Sequence, residues 1–139
     1  MVKKLTREFF NRDAIDVARD LIGKNIVRRL DDGTLLYERI SETEIYRGEE
    51  DKACHASKGR TKRTELLYGE SGVIYVYLCY GVHWLMNVIT GDTDNPQGVL
   101  FRAGKIHNGP GKLSKYLQIN GSFNGQKIYE NEFIWIEDD

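Results

Sequence analysis

The chain contains a long apolar stretch without charge, VIYVYLCYGVHWLMNVI, residues 73–89. β-Branched and aromatic residues dominate it, and such residues favour strands. Tyr80 and Gly81 lie near its middle, where a two-residue turn would join two strands of about equal length. The stretch approaches the length of a membrane span, but its composition argues against a transmembrane helix. The pattern therefore predicts a buried β-hairpin with its tip at Tyr80-Gly81.

A helical pattern occupies RDAIDVARDLIGKN near the start of the chain. Asp13 is suited to the N-cap, and Ile15, Ala18 and Ile22 form an apolar stripe at helical spacing. Gly23 follows the last apolar residue and is typical of a helix end. The segment predicts an amphipathic helix.

A second, shorter helix is predicted in NGPGKLSKYLQIN, which opens with turn residues. Proline near the first helical position is favourable there because its missing N–H would have no partner in any case. Leu113, Tyr116 and Leu117 are spaced to face inward, and Gly121 is the predicted end of the helix.

Other segments read as strands separated by polar turns. They are NIVRRL, then TLLYERISETEIY after the turn Asp31-Asp32-Gly33, GVLFRA, and a last strand FIWIEDD. Helices and strands do not alternate regularly, and no repeat or linker divides the chain. The sequence therefore predicts an α+β fold in which 1–139 form a single domain, with a curved antiparallel β-sheet, flanking helices and a protruding hairpin.

The formal net charge of −1 hides a segregation of charge along the chain. Residues 52–129 contain ten basic residues and four acidic ones, a net charge of +6. A basic region on a nearly neutral chain favours a polyanionic partner such as a nucleic acid. The alternative is that these charges lie in ordinary solvated loops.

Composition also excludes several classes of protein. The start, MVKKLTREFF, has no apolar segment typical of a signal peptide, so we expect a cytoplasmic protein, nucleoid-associated if bacterial. Cys54 and Cys79 are expected to be reduced thiols. No C-x-x-C motif occurs and the three histidines are scattered, so neither a metal site nor a cofactor is expected.

The acidic strand ISETEIY is a candidate for general-base chemistry. In an extended strand Ile40, Glu42, Glu44 and Tyr46 point to one side. A carboxylate between Ile40 and Tyr46 would be partly desolvated, which raises its proton affinity. Two alternatives stay open: the glutamates are merely solvent-exposed, or Glu42 and Glu44 form a glycoside hydrolase pair. One strand face is poor geometry for that pair.

Three further polar residues have structural alternatives. His55 in a loop is a candidate site residue but is more often a structural hydrogen-bonding partner. Asn87 and Arg102 lie in apolar strand segments, where each needs a partner if buried, and Glu44 could pair with Arg102. The segment GKIHNGPGKLS fails as a nucleotide phosphate loop because Leu113 occupies the Ser/Thr position. Its backbone N–H groups could still hold a DNA phosphate.

Taken together these segments resemble the alkyladenine (3-methyladenine) DNA glycosylase family. The matching segments, in the family's order, are ARDLIGKNIVRRL, ETEIYRGEEDKACHASKGRTKRTELLYGESGVIYVYLCYGVHWLMNVIT, GVLFRA and GPGKL. They cover most of the chain, and their combination is far more specific than any one of them.

The resemblance implies a DNA glycosylase of base excision repair that acts on double-stranded DNA. It would hydrolyse the N-glycosidic bond of flipped alkylated or deaminated purines, namely 3-methyladenine, 7-methylguanine, hypoxanthine and ethenoadenine. Carried over by position, the roles are catalytic for Glu44 and Arg102, base-binding for Tyr46, His55, Tyr77 and Asn87, DNA-intercalating for Tyr80, and backbone-binding for Lys112, Gly111 and Arg60. A wedge at a hairpin tip would explain why an aromatic ring occupies a turn, because it can fill the space that a flipped base leaves.

The resemblance also implies a monomeric, monofunctional enzyme that leaves an abasic site, since no lysine matches a Schiff-base role. Two departures from the family are visible in the sequence. Only GKIHN separates Arg102-Ala103 from the Gly-Pro-Gly-Lys element, and the chain stops at Asp139, where the family continues. The alternative is therefore a truncated relative that binds DNA but has weak or no activity.

Overall fold

The structure, a computed structural model, describes residues 3–47, 65–91 and 96–138. The strands in these ranges are β1 Lys3–Lys4, β2 Asn25–Arg29, β3 Leu35–Arg47, β4 Ile74–Cys79, β5 His83–Ile89, β6 Gln97–Gly104 and β7 Ile134–Asp138. The α-helices are α1 Arg7–Phe10, α2 Ala14–Leu21 and α3 Pro110–Tyr116. Short 3-10 helices occupy Glu65–Tyr68, Gly121–Phe123 and Ile128–Glu130.

The seven strands form one sheet in the order β1-β7-β2-β3-β6-β5-β4, and every neighbouring pair is antiparallel. β3 is long enough to pair with β2 through its first half and with β6 through its second half. The predicted α+β class with an antiparallel sheet is confirmed. The predicted strands around NIVRRL, TLLYERISETEIY, GVLFRA and FIWIEDD all form.

The two faces of the sheet carry different side chains. One face packs against the helices and forms the main core, which contains Val17, Leu21, Val88, Phe101 and Leu113. The opposite face of the β3-β6-β5-β4 half carries a smaller cluster in which Leu67, Tyr68, Val73, Tyr75 and Ile89 are buried, with Tyr46 and Tyr77 packed against them. Because side chains alternate along a strand, the two clusters share strands without mixing.

A β-bulge in β3 decides which residues share a face. The register with β6 shifts between Ile40 and Glu42 and again before Thr43. Ile40 is buried in the main core, and Ile45 also packs there, although strict alternation would place them on opposite faces. The expectation that Ile40 lies on the same side as Glu44 is therefore wrong. The irregular pairing between Ile40 and Thr43 turns Glu44 away from the core.

Helix α2 begins as predicted but buries a different stripe. The Asp13 side chain accepts a hydrogen bond of 2.9 Å from the backbone N–H of Ile15, which confirms the N-cap. The buried residues of the helix are Ala14, Val17, Ala18 and Leu21. Ile15 and Ile22 are instead 37% and 45% exposed. The buried face of the helix is therefore shifted by about one residue from the predicted stripe. The spacing of the largest apolar side chains predicts the stripe, whereas the position of the sheet decides which face of the helix is buried.

Helix α3 is shorter than predicted. Leu113 and Leu117 are buried and Tyr116 packs partly against the core, as the spacing indicated. The helix ends at Tyr116, however, and Gly121 begins a 3-10 helix instead of stopping α3. The backbone N–H of Ile119 donates to the Ser114 carbonyl at 2.9 Å, a pairing that closes the helix end.

Residues 80–82 join β4 to β5, as the sequence predicted for a hairpin centred on Tyr80-Gly81. Cys79 and His83 are the last paired residues, so the connection has three residues rather than the expected two. The Val82 N–H donates to the Cys79 carbonyl at 3.1 Å, and Tyr80 and Gly81 both have positive φ, 53° and 69°. Positive φ at both central positions is the arrangement of a type I′ turn. Cys79 is a free thiol.

In the part of the chain that the structure describes, no helix is long and apolar enough to cross a membrane.

Candidate active site

The candidate catalytic residue Glu44 begins a row of side chains that crosses the sheet. It pairs with Leu100 on β6, Leu100 pairs with Asn87 on β5, and Asn87 pairs with Tyr75 on β4. Residues in register on adjacent strands point to the same face. The row therefore places Glu44 and Asn87, which lie far apart in the sequence, on the face opposite the main core.

Glu44 forms an ion pair with Arg102, which stands two residues after Leu100 on the same face of β6. The Arg102 Nη1 donates to the Glu44 Oε2 at 3.0 Å. The sequence had named Glu44 as a partner for Arg102, and the structure brings them together. Their side chains are 39% and 52% exposed, so the pair lies at an open surface rather than in the apolar setting expected for Glu44. The bulge exposes Glu42 next to it.

Tyr46 lies beside Glu44 on the same side of β3. Burial, followed by the charge of Glu44 and a hydrogen bond with Glu44, raises the pKa of the Tyr46 phenol well above its usual range. The hydroxyl therefore stays protonated at neutral pH and acts as a donor to the carboxylate. Glu44 thus interacts with both Arg102 and Tyr46.

Asn87 and two tyrosines continue the site towards β4. The Asn87 side chain is buried, and its Nδ2 donates to the Tyr75 carbonyl at 3.1 Å. The Tyr75 and Tyr77 rings are 5.6 Å apart with their planes tilted by 45°. Tyr77 also lies near enough to influence the Tyr46 phenol electrostatically. The three proposed base-binding residues within the described ranges, Tyr46, Tyr77 and Asn87, are therefore on one face with Glu44.

Tyr80 is the most exposed large hydrophobic side chain among the described residues. It is 95% exposed, and its φ of 53° lies in the left-handed region that bulky residues rarely adopt. Leu78 and Val82, which flank it, are also exposed, at 41% and 69%. At a strand rise of about 3.3 Å per residue, Tyr80 lies about 10 Å along the chain from Tyr77. An exposed aromatic ring on a strained turn therefore stands next to the site.

Helix α3 packs against the same hairpin. β6 pairs only with Asn87–Ile89 of β5, and α3 lies beside the rest of β5. The Ser114 hydroxyl donates to the Trp84 carbonyl at 2.5 Å. A Cβ on Gly111 would lie 2.8 Å from the His83 ring, so only glycine allows this close approach. Lys112, one residue further on, is exposed.

Glu38 is a buried carboxylate that no pattern in the sequence indicates. Its Oε2 accepts hydrogen bonds from the backbone N–H groups of Ile106 and His107, at 2.9 and 2.7 Å, and lies 3.3 Å from the His107 Nδ1. The His107 ring stacks on Tyr116 at 4.0 Å. Glu38 therefore fixes the short GKIHN connection between β6 and α3. The contact could not be predicted because Glu38 is one of several acidic residues in its strand, and the sequence does not distinguish it from the exposed ones.

Two of the site residues implied by the resemblance, His55 and Arg60, lie outside the described residues. Within residues 3–47, 65–91 and 96–138, no group of three histidine, cysteine or carboxylate side chains is arranged to hold a metal ion.

Comparison with known proteins identifies the family. A family model for methylpurine-DNA glycosylase matches residues 8–108. The chain belongs to the methylpurine-DNA glycosylase family.

Curated bacterial relatives agree with this assignment. One from Natranaerobius thermophilus is 43% identical over 96% of this chain and 78% of its own length. Another from Psychrobacter cryohalolentis is 42% identical over 94% of this chain and 76% of its own. Both carry the name "Putative 3-methyladenine DNA glycosylase". The methylpurine-DNA glycosylase family is one of hydrolases that act on N-glycosyl bonds in DNA with damaged bases, as part of base excision repair.

Proposed function

We propose that this member of the family is an active, monofunctional purine DNA glycosylase that works as a monomer on double-stranded DNA. Its substrates are 3-methyladenine, 7-methylguanine, hypoxanthine and ethenoadenine. The Glu44–Arg102 pair at 3.0 Å, on the face of the sheet that also carries the tyrosines, is the observation that supports this best. A carboxylate can accept a proton from water there, because the Glu44 side chain is partly exposed.

Chemically, the proposed step needs one base. Glu44 accepts a proton from a water molecule, the water oxygen bonds to C1′ of the flipped nucleotide, and the bond from C1′ to the purine nitrogen breaks. The purine leaves with the bonding electrons. A cationic 3-methyladenine or 7-methylguanine leaves as a neutral base, so one carboxylate suffices; a neutral hypoxanthine or ethenoadenine leaves as an anion that takes a proton from water. Arg102 orients the carboxylate and the water, and the Tyr46 hydroxyl fixes the second side of Glu44.

The reaction is proposed to be monofunctional because the cationic group next to Glu44 is the guanidinium of Arg102 and not a lysine amine. A lysine amine can attack a sugar carbon and form a Schiff base, but a guanidinium that stays protonated does not. Release of the base by water then leaves an intact abasic site.

Tyr46, His55 and Tyr77 are proposed to line the pocket for the extruded base, with the ring stacked between tyrosine and histidine. Asn87 is proposed to reject normal guanine by crowding its exocyclic amino group. Its side chain is buried and held by the Tyr75 carbonyl, so it cannot easily move aside. Rejection by an immobile polar group is stronger than rejection by a mobile one.

Tyr80 is proposed as the wedge that replaces the flipped base in the stack. The Tyr80 ring is almost fully exposed and can contact DNA. A tyrosine at a positive φ is unfavourable for the fold, so a functional role supports its presence at this position. Lys112, Gly111 and Arg60 are proposed to contact the DNA backbone. Lys112 is exposed, and Gly111 holds α3 against the hairpin, so both described residues lie near the wedge. Charge reversal at Lys112 should flatten the salt dependence of DNA binding.

A single-turnover assay on a hypoxanthine-containing duplex tests the proposal. Enzyme in excess should convert the lesion into an alkali-sensitive abasic site without cutting the strand itself. Strand cleavage before alkali treatment would refute the monofunctional mechanism. Binding to the duplex with no base release, on any of the four lesions, would show that the chain is instead an inactive DNA-binding relative.

A further inference from the structure

Gly98 is a glycine inside strand β6, on the face of the sheet that carries Glu44. It pairs with Tyr46 of β3 on one side and with Ile89 of β5 on the other. Ile89 is buried in the smaller cluster on that face, and Tyr46 packs against it. Because residues in register point to the same face, a side chain at position 98 would point into this cluster. Glycine weakens the interior of a strand, and it often marks a place where a ligand approaches the backbone closely.

The backbone conformation at Gly98 does not require glycine. Its φ lies outside the left-handed region, so an ordinary side chain is compatible with it. Close packing explains other glycines that have an ordinary φ. At Gly104 a Cβ would collide with the Glu38 side chain, and at Gly111 it would lie 2.8 Å from the His83 ring. No side chain of the described residues has this effect at Gly98.

The space above Gly98 is open among the described residues. A Cβ built there would lie 3.3 Å from the Val88 carbonyl oxygen, and apart from its chain neighbours no other described atom would be within 4 Å. Gly98 is nevertheless buried. Among the described residues, the missing side chain therefore leaves a narrow recess between Tyr46 and Ile89.

The recess lies one step along β6 from the row of side chains that begins at Glu44. Leu100 pairs with Glu44, and Gly98 precedes Leu100 by two residues on the same face. At the rise of a strand, this places the recess about 6.6 Å from that row. The separation is comparable with the length of a purine from its glycosidic nitrogen to its N1–C6 edge. A nucleotide whose C1′ lies at Glu44 would therefore reach the recess with that edge of its base.

We propose that Gly98 is a specificity-determining residue of the base pocket, because the space left by its missing side chain receives the N1–C6 edge of the flipped purine. The inference rests on the proposed function, since the base must first bind beside Glu44. In ethenoadenine the additional ring joins N1 to the exocyclic nitrogen on C6, so it extends the purine at this edge. Hypoxanthine carries only an oxygen on C6. The recess thus admits the largest of the four proposed substrates.

Gly98→Ala tests the proposal by placing one methyl group in the recess. In single-turnover assays the release of ethenoadenine should slow by about ten-fold or more, the range for one methylene-sized change in a tight pocket. The release of hypoxanthine should slow much less. An unchanged ratio of the two rates would overturn the proposal. So would a wild-type protein that releases hypoxanthine but not ethenoadenine.

Val99→Ile is the matched control for effects on folding. Val99 is the next residue of β6 and is buried in the main core on the opposite face of the sheet. The added methylene therefore crowds the core and not the base pocket. The variant should melt at a lower temperature than wild type and keep the wild-type ratio of release rates. If Val99→Ile lowers the ratio as much as Gly98→Ala does, the ratio reports on strand packing and the proposal is wrong.

Binding measurements test the recess without relying on catalysis. In the Glu44→Gln background, affinity is measured for a duplex with ethenoadenine and for one with a stable abasic-site analogue. Adding Gly98→Ala should weaken binding to the ethenoadenine duplex by about ten-fold. Binding to the abasic analogue should not change, because that duplex places no base in the pocket. Equal weakening on both duplexes would instead assign Gly98 to packing against the Val88 carbonyl.

Failure of the proposed function gives a different result from failure of this inference. If the wild-type protein releases none of the lesions but the selective loss of ethenoadenine binding is observed, the catalytic role of Glu44 is refuted and the recess is supported. If the wild-type protein releases both lesions and Gly98→Ala changes neither the ratio nor the binding, only the role of Gly98 is refuted.

Discussion

Glu44 and Arg102 are 58 residues apart in the sequence, yet their side chains meet at 3.0 Å because β3 and β6 are neighbours in the sheet. The pair is partly exposed, and Leu100, which pairs with Glu44 across the two strands, lies on the same face. The sheet thus delivers a carboxylate and a guanidinium, from strands widely separated in sequence, to one open face.

Glu44→Gln should abolish base release while leaving duplex binding nearly intact, because an amide cannot accept the proton of the attacking water. The loss is expected to be at least 100-fold in the single-turnover rate. Glu42→Gln is the matched control on the same strand and should have a much smaller effect, since Glu42 is exposed at the bulge. Equal loss in both variants would instead indicate a paired-carboxylate mechanism.

Tyr80→Gly should separate the wedge from the fold. Glycine accepts a φ of 53° without strain, so the variant should be as stable as wild type or more stable. Base flipping should weaken by about one stacking interaction, roughly 1–3 kcal/mol. A fluorescent base analogue at the lesion reports this, brightening less with the variant than with wild type.

Tyr80→Ala provides the control, because it removes the ring but keeps the strained backbone. It should lose flipping to the same extent as Tyr80→Gly while being less stable than it. The deficit of both variants should shrink on a mispaired lesion, whose extrusion costs less. Unchanged flipping per folded molecule, together with a large fall in melting temperature, would show that Tyr80 has a structural role.

Asn87→Ser should relax the rejection of normal guanine if Asn87 excludes the exocyclic amino group. The measurement is the ratio of guanine release from undamaged duplex to hypoxanthine release. The ratio should rise, while the protein loses about 1–3 kcal/mol of stability because the Tyr75 carbonyl loses its donor. A fall in stability without a change in the ratio would leave Asn87 with a packing role only.

The Tyr129–Glu70 contact should make stability depend on pH. The Tyr129 hydroxyl donates to Glu70, which lowers the pKa of that carboxyl, and burial raises the pKa of Tyr129 to about 12. Because the folded pKa of Glu70 is below the unfolded value, near 4.3, the contribution is present above that value and is lost as the pH falls through the folded pKa.

Tyr129→Phe tests this with the ring retained against Gly72. It should lower the free energy of unfolding by about 1 kcal/mol at pH 7, a modest value because Glu70 is partly exposed. In urea titrations the difference from wild type should shrink at about pH 3. An equal difference at both pH values would assign the loss to packing rather than to the carboxylate.

Local pattern predicted most of the elements, because each depends on neighbours in the sequence. The Asp13 N-cap, the turn before β3 and the positive φ at Gly81 follow from side-chain hydrogen bonding or from the lack of a Cβ. The resemblance then supplied the roles of Glu44 and Arg102, which no local pattern could assign.

The bulge in β3 could not be predicted from the sequence, because the prediction assumed that side chains alternate regularly along the whole strand. The irregular register arises from the pairing with β6, some 60 residues later, and nothing in ISETEIY marks it. The exposure of Ile15 and the burial of Glu38 were not predicted for the same reason, since the burial of each side chain depends on the elements that pack against it.

By itself, therefore, the sequence determined strands β2 to β7, the starts of α2 and α3, the hairpin tip and the family to which the chain belongs, but neither β1 nor α1. Only the tertiary structure decided which face of the sheet receives Glu44, that Asn87 lies in its row, and that Gly111 brings α3 against the hairpin. Strand propensity and turn chemistry act over a few residues, whereas register and facing arise from pairing between strands that the chain brings together only on folding.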